Sequence, residues 1–585
     1  GGAMNLEKQI QSHLTFIYGP ETAARVFESL QTRLANFRCQ HPELSQPLAP
    51  AQRLTEADSI LITYGDQVQE PGKPTLYSLA EILDKYLKSL VSTVHILPFY
   101  PYSSDDGFSV IDYTAVDPAL GDWDDVVRLG QNFRLMFDAV INHISAQSAW
   151  FQSFLRGDPK YTDYFITEDP ITDLSRVTRP RALPLLTLVE TPSGRQHVWT
   201  TFSADQIDLN YENPAVLLEI IDVLLFYVAR GAEFIRLDAI AYLWKEAGTC
   251  CIHLPKTHRV VQLFRTMLDM VAPNVMLITE TNVPYQENIA YFGDGRNEAQ
   301  LVYNFSLAPL ILHTIHSGNA EALQAWVAGL EKLLDTATFF NFIASHDGIG
   351  VRPAEGILSR DQIQALVDQT LAHGGQVSYK TNPDGSQSAY ELNITLFDAL
   401  SDPQNDEPEA LKINRFLVSQ AIMLALSGVP GIYIHSLVGS SNDDAGFART
   451  GRARSLNRRK WPAVELEAAL ANPASRSAKV FRRYAGLLKA RASQWAFHPT
   501  GDQHVIAGHP ALFSLWRVAP DGRERVLCLH NVSAQSQSFE ADLSELPLDI
   551  VMHDLLSGEK VEVQNRMLRL SLAPYEVKWL ALNHD

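Results

Sequence analysis

FIRLDAIAY, residues 234–242, sets a β-branched and aromatic run directly ahead of an acid: residues 234–239 read as a strand, and Asp238 stands at its carboxyl end. Runs of the same make recur at 60–64, 94–99, 135–141, 275–281, 301–305, 339–345 and 431–435, with longer helical patterns between them. Short apolar strands alternating with helices signal βα units and a parallel sheet. Eight such strands in this length, once insertions are allowed, give an α/β fold class: a closed (β/α)8 TIM barrel rather than an open doubly wound sheet.

The chain divides around that barrel. Residues 1–54 form a helical extension, whose first residues Gly1-Gly2-Ala3-Met4 look like an expression remnant. The catalytic barrel is expected over 55–144, 215–347 and 412–499. The interval 145–214 is too long for a simple βα loop and carries Arg179-Pro180-Arg181-Ala182-Leu183-Pro184, so an excursion domain is expected there. A second inserted loop domain, 348–411, holds Asn382-Pro383-Asp384-Gly385-Ser386, whose Asn-Pro and Asp-Gly pairs signal turns. Both leave from the face of the barrel where active sites are built. Beyond residue 500 the apolar period falls to two, at 526–529 and 567–572, so an antiparallel C-terminal β-sandwich is expected over 500–585.

Composition narrows the partners. At 585 residues and 46% hydrophobic, one ordinary core is excluded. A net charge of −19 makes nucleic acid a poor partner, although a few local arginines can still hold a small anion. No run of about 18 apolar residues or signal-peptide pattern is visible, so neither a membrane partner nor export is expected. Cys39, Cys250, Cys251 and Cys528 lack metal-ligand spacing and read as free thiols in a reducing cytoplasm. No carboxylate cluster demands calcium, and no metal or cofactor is expected.

Three acids end predicted strands: Asp238, Glu280 in MLITETN and Asp347 in FIASHDG. Carboxylates so placed point into the barrel mouth, where a nucleophile and an acid could act on a glycosidic bond. Arg236 shares a strand face with Asp238 and would keep it ionised, whereas Glu280 needs a less polar setting to hold a proton. His143 and His346, also at strand ends, read as neutral hydrogen-bonders. A histidine metal site would need a third ligand that is not evident.

Four stretches, 138–143 (DAVINH), 231–242 (GAEFIRLDAIAY), 276–282 (MLITETN) and 342–347 (FIASHD), resemble in order and spacing the signature regions of the α-amylase superfamily of glycoside hydrolases. The resemblance implies Asp238 as nucleophile, Glu280 as acid/base and Asp347 as the third acid. ILPFYPYSSDDGFSVIDY (96–113) and RARSLNR (452–458) further resemble the sucrose-phosphorylase-like branch. On that likeness Asp105 and Phe108 form the base and a wall of a one-glucosyl pocket, Arg454 stands opposite Asp105, and Gln206, His143, Arg236 and His346 complete it. Arg181 and Tyr242 fall where the branch handles phosphate and acceptor. SAYELN (388–393) places Tyr390 and Glu391 on a mobile loop that exchanges acceptor for phosphate contacts.

Departures from sucrose phosphorylases proper include the N-terminal extension, Thr178, Glu391 and the stretches 244–258, 280–293 and 345–356. In these the chain is most similar to glucosylglycerate phosphorylases. The implied reaction is reversible phosphorolysis of a small-molecule α-glucoside by inorganic phosphate, with D-glycerate favoured over fructose as acceptor, by a monomer or homodimer. Sucrose, sucrose 6′-phosphate or glucosylglycerol phosphorolysis, or amylosucrase-like transfer or hydrolysis, are the alternatives.

Overall fold

In the computed structural model, residues 2–382, 384–547 and 550–583 are described. Eight strands, β1 (Ile60–Thr63), β2 (Thr93–Ile96), β3 (Arg134–Ala139), β4 (Ala232–Leu237), β5 (Met276–Thr279), β6 (Leu301–Asn304), β7 (Thr338–Asn341) and β8 (Val429–Tyr433), close into a barrel. Each pairs in parallel with its neighbours in chain order, and β1 closes on β8 through Ile60 opposite Gly431. The strands stop short of several expected ends. Asp238, for example, lies one residue past β4, and Ala239 turns the chain with φ 48°, so the ladder breaks where the acids begin.

The N-terminal extension is two helices, Gly2–Tyr18 and Pro20–Gln40, packed on each other and near the barrel helix Pro255–Val271. Ile10, Leu14 and Ile17 on the first and Val26, Leu30, Leu34 and Phe37 on the second are buried, the three- and four-residue spacing of an amphipathic face. Gly1 lies outside the described residues. Among the described residues no helix is long and apolar enough to cross a membrane.

Two excursions rise over the mouth. The first holds the helix Ala149–Leu155, the hairpin Leu186–Thr191 with Gly194–Trp199, and Gln206–Asp208 paired antiparallel with His143–Ser145. The second is the helix Arg360–Ala372 and a three-stranded sheet in which Gln387–Asn393 lies between Ile349–Gly350 and Gln376–Thr381. At the hairpin tip Asn382 N donates to the Ser386 carbonyl at 2.7 Å; Pro383 of that turn lies outside the described residues. The C-terminal region is a six-stranded sheet and a two-stranded sheet, Gln537–Asp542 with Met567–Leu572, sharing a core that includes Leu512, Leu527, Phe539 and Leu568.

Candidate active site

Arg236 organises the floor of the mouth from a buried position on β4. Its Nη1 donates to Asp138 Oδ1 at 2.7 Å and Asp238 Oδ1 at 2.9 Å, its Nη2 lies 3.8 Å from Glu280 Oε2, and its Nε donates to Tyr303 Oη at 2.9 Å. Neighbouring parallel strands place these groups together, since Arg236 is registered against Asp138 on β3 and Ile278 on β5. Asp138 is held on its other side by His95 Nε2 at 2.8 Å. Glu280 Oε2 also accepts from the Ala239 amide at 3.1 Å, which sets it beside Asp238.

Burial pushes the Asp238 carboxyl well up, and the nearby Glu280 charge adds to that against the pull of Arg236. The arginine therefore does not by itself hold Asp238 in the ordinary carboxylate range. Burial also raises Glu280, with Arg236 opposing and Asp347 adding to the rise. Two carboxyls so placed cannot both ionise freely. The shorter charge-assisted bond from Arg236 favours the negative charge on Asp238 and the proton on Glu280. Asp347 goes the other way: against burial, His346, Arg454 and Arg458 hold it well below the usual range. Burial lowers His143, and it lowers His346 to about 3, which disfavours the charged form of both rings.

Above this floor a pocket of about 150 Å³ is lined by Asp238, Glu280 and Asp347 together with the expected Asp105, Phe108, His143, Gln206, His346, Arg181, Tyr390, Glu391 and Arg454. That is below the roughly 300 Å³ at the small end of ordinary ligand pockets. Phe108 stacks on His346 with centroids 5.4 Å apart, and its carbonyl accepts from Gln206 Nε2 at 3.0 Å. His143 Nε2 lies 2.9 Å from the same carbonyl. Arg236 lies beneath the pocket. Tyr242 is set back from its wall, its ring edge-on to the lining residue Phe202 at 5.4 Å.

One expected pairing is corrected. Arg454 does not face Asp105 in an ion pair. It donates through Nε and Nη2 to Glu391 at 3.0 and 2.9 Å, and its Nη1 lies 3.1 Å from Asp347. Asp105 instead takes Arg181 Nη2 at 3.0 Å and Gln206 Nε2 at 3.1 Å. The planar guanidinium matches a carboxylate in two parallel bonds, and the hairpin presents Glu391 in that geometry. Gly348 makes the approach possible, since a β-carbon there would stand 2.4 Å from Glu391 Cγ. Arg454 thus offsets the negative charge that Glu391 brings to the pocket. Burial and the Glu391 charge raise the neighbouring Tyr390 phenol to about 12.

Several site residues escape a reading of the sequence. Arg458, four residues beyond Arg454 in the same motif, donates from Nε to the His346 carbonyl at 2.7 Å and pairs with Asp106. Asn282 and Asn457 line the pocket. Tyr303 touches Arg236 from β6, with no motif to announce it.

Residues 70–352 match the family model described as Alpha amylase, catalytic domain. The chain is 52% identical over 575 residues to a glucosylglycerate phosphorylase of Allomeiothermus silvanus, covering 98% of each, and 43% identical to one of Escherichia coli, covering 98% of this chain and 100% of that one. A crystal structure of sucrose 6F-phosphate phosphorylase from Thermoanaerobacter thermosaccharolyticum superimposes with a TM-score of 0.71, covering 83% of this chain and 95% of that one; at 24% identity it speaks for the fold alone. The chain belongs to the alpha-amylase family, in the group formed by these glucosylglycerate phosphorylases.

Proposed function

We propose that this protein is a retaining α-glucoside phosphorylase that converts a small α-glucoside, glucosylglycerate foremost, and inorganic phosphate into α-glucose 1-phosphate and D-glycerate. The observation that carries the reading is the placing of Asp238 and Glu280 against one guanidinium at the floor of the pocket. Retaining chemistry uses two carboxyls roughly 5–5.5 Å apart. Asp238 attacks the anomeric carbon while Glu280 passes its proton to the leaving oxygen; phosphate then attacks the β-glucosyl-enzyme from the face the acceptor left. Asp347, kept anionic by its cations, accepts hydrogen bonds from the sugar's secondary hydroxyls.

The names carried by the relatives support phosphate as second substrate and glycerate as acceptor. Phosphate is already anionic, so Arg181 guides it rather than a base activating it. The proposed reaction requires no metal or organic cofactor. The four cysteines are free, two of them exposed, which supports work in a reducing cytoplasm. The test is to incubate the enzyme with glucose 1-phosphate and, separately, D-glycerate, glycerol, fructose and fructose 6-phosphate. Phosphate release with D-glycerate well above the rest is expected. Release with fructose alone would move the reading to sucrose phosphorolysis, and release of glucose without acceptor dependence would move it to hydrolysis.

A further inference from the structure

Arg352 opens the single turn Arg352–Ala354, five residues beyond Asp347. The backbone around it is tied to the pocket on three sides. Gly350 lines the pocket and is registered opposite Glu391. The Val351 amide donates to the Tyr390 carbonyl at 3.2 Å, and Ser306 Oγ donates to the Pro353 carbonyl at 2.9 Å. A β-carbon at 350 would also stand 3.1 Å from the side chain of Asn282, another lining residue. Arg352 therefore sits on a firmly held edge of the mouth, between the hairpin with Tyr390 and the end of β5.

Its charge is not spent within the protein. Arg181 is paired with Asp105, Arg454 with Asp347 and Glu391, and Arg452 and Arg458 with Asp106. Among the described residues Arg352 has no ion pair, and its Nε is buried without a hydrogen-bond partner. Arg179 also has no ion pair among the described residues, but it is exposed and water solvates it. A buried guanidinium donor left unmatched is costly, and its planar fork suits a carboxylate. The Arg352 charge is felt at Tyr242, where it opposes the rise that burial and Tyr390 impose on the phenol. In a chain of net charge −19 an anionic acceptor needs such a local cation.

We infer that Arg352 is the specificity-determining residue that receives the carboxylate of a short hydroxy-acid acceptor, on the Tyr242 side of the glucosyl pocket. The inference rests on the phosphorylase reading and adds to it the group that distinguishes an acid acceptor from a neutral polyol. Arg352 takes no part in breaking the glycosidic bond, so its removal weakens acceptor binding without disabling the glucosyl-enzyme.

The experiment compares wild type, Arg352→Gln and Arg352→Lys with glucose 1-phosphate as donor and D-glycerate, glycerol or water as acceptor. The Gln variant is expected to raise the KM for D-glycerate by about tenfold or more, while turnover with glycerol and with water stays within about twofold. Those two rates certify a folded, competent enzyme in the same preparation. The Lys variant keeps the charge but loses the fork, and should show a smaller rise in the same direction. An unchanged KM for D-glycerate in both variants overturns the inference. So does an equal loss with all three acceptors, which marks a structural residue, or a rise confined to the KM for phosphate in the reverse direction. If wild type ignores D-glycerate, the functional reading fails too; if wild type uses it and the variants match wild type, only the role of Arg352 fails.

Discussion

Arg454 grips Glu391 through two parallel hydrogen bonds, 3.0 and 2.9 Å long, while its third nitrogen reaches Asp347 at 3.1 Å. The bond joins the hairpin strand Gln387–Asn393 to the acid six residues beyond β7, so hairpin position and pocket charge are linked. Glu391→Gln keeps the shape but removes one of the two negative charges on Arg454. The expected result is a lower KM for phosphate, by about two- to fivefold, with faster hydrogen exchange in residues 387–393. An unchanged phosphate KM with unchanged exchange would show that the pair is only a clasp.

Asp238→Asn removes the proposed nucleophile's charge and little of its volume. Turnover should fall by about 10⁴-fold or more. Because the change removes charge and little volume, the variant should keep its fold and melt close to wild type. Residual activity near wild type with retained stereochemistry would refute the assignment.

Glu280→Gln should be rescued in part by α-glucosyl fluoride, whose leaving group needs no proton. Equal losses with the fluoride and the natural donor would remove Glu280 from the acid role.

Arg181→Ala deletes the cation on Asp105 and, on the proposed reading, the guide for phosphate. The product ratio should shift from glucose 1-phosphate toward glucose, with the KM for phosphate raised about tenfold. If both products fall together, Arg181 serves structure alone.

Acid should loosen the protein before it reaches the usual carboxylate range. Burial lowers His530 from 6.5 to about 4 and His435 to about 3. His530 is fixed as a neutral ring, its Nδ1 2.8 Å from the Phe513 carbonyl and its Nε2 accepting from Trp579 Nε1 at 3.2 Å. With folded values below the unfolded one, the unfolded chain takes up these protons first. Their stabilisation is complete above pH 6.5 and is lost as pH falls toward 4, by up to about 1.4 kcal/mol per histidine per pH unit. A melting temperature that falls steadily from pH 7 to 5 is expected; a flat profile would contradict it.

The barrel and its acids were legible in the sequence because both are local. A strand is an unbroken run of residues such as FIRLD, and a carboxylate at its end needs only the parallel arrangement to reach the mouth. The same logic placed Arg236 beside Asp238, two residues apart on one face. What the tertiary structure alone decided is which charge meets which. Arg454 is 63 residues from Glu391 and Arg181 is 76 from Asp105, and nothing in the intervening chain states that these partners exchange. Long side chains on separate loops choose partners by fork geometry and burial, which exist only after the excursions have folded over the barrel. Arg352 is the sharpest case: the sequence carries it as one arginine among many, and only the folded mouth shows that Arg181, Arg454 and Arg458 are paired while Arg352 has no ion pair among the described residues.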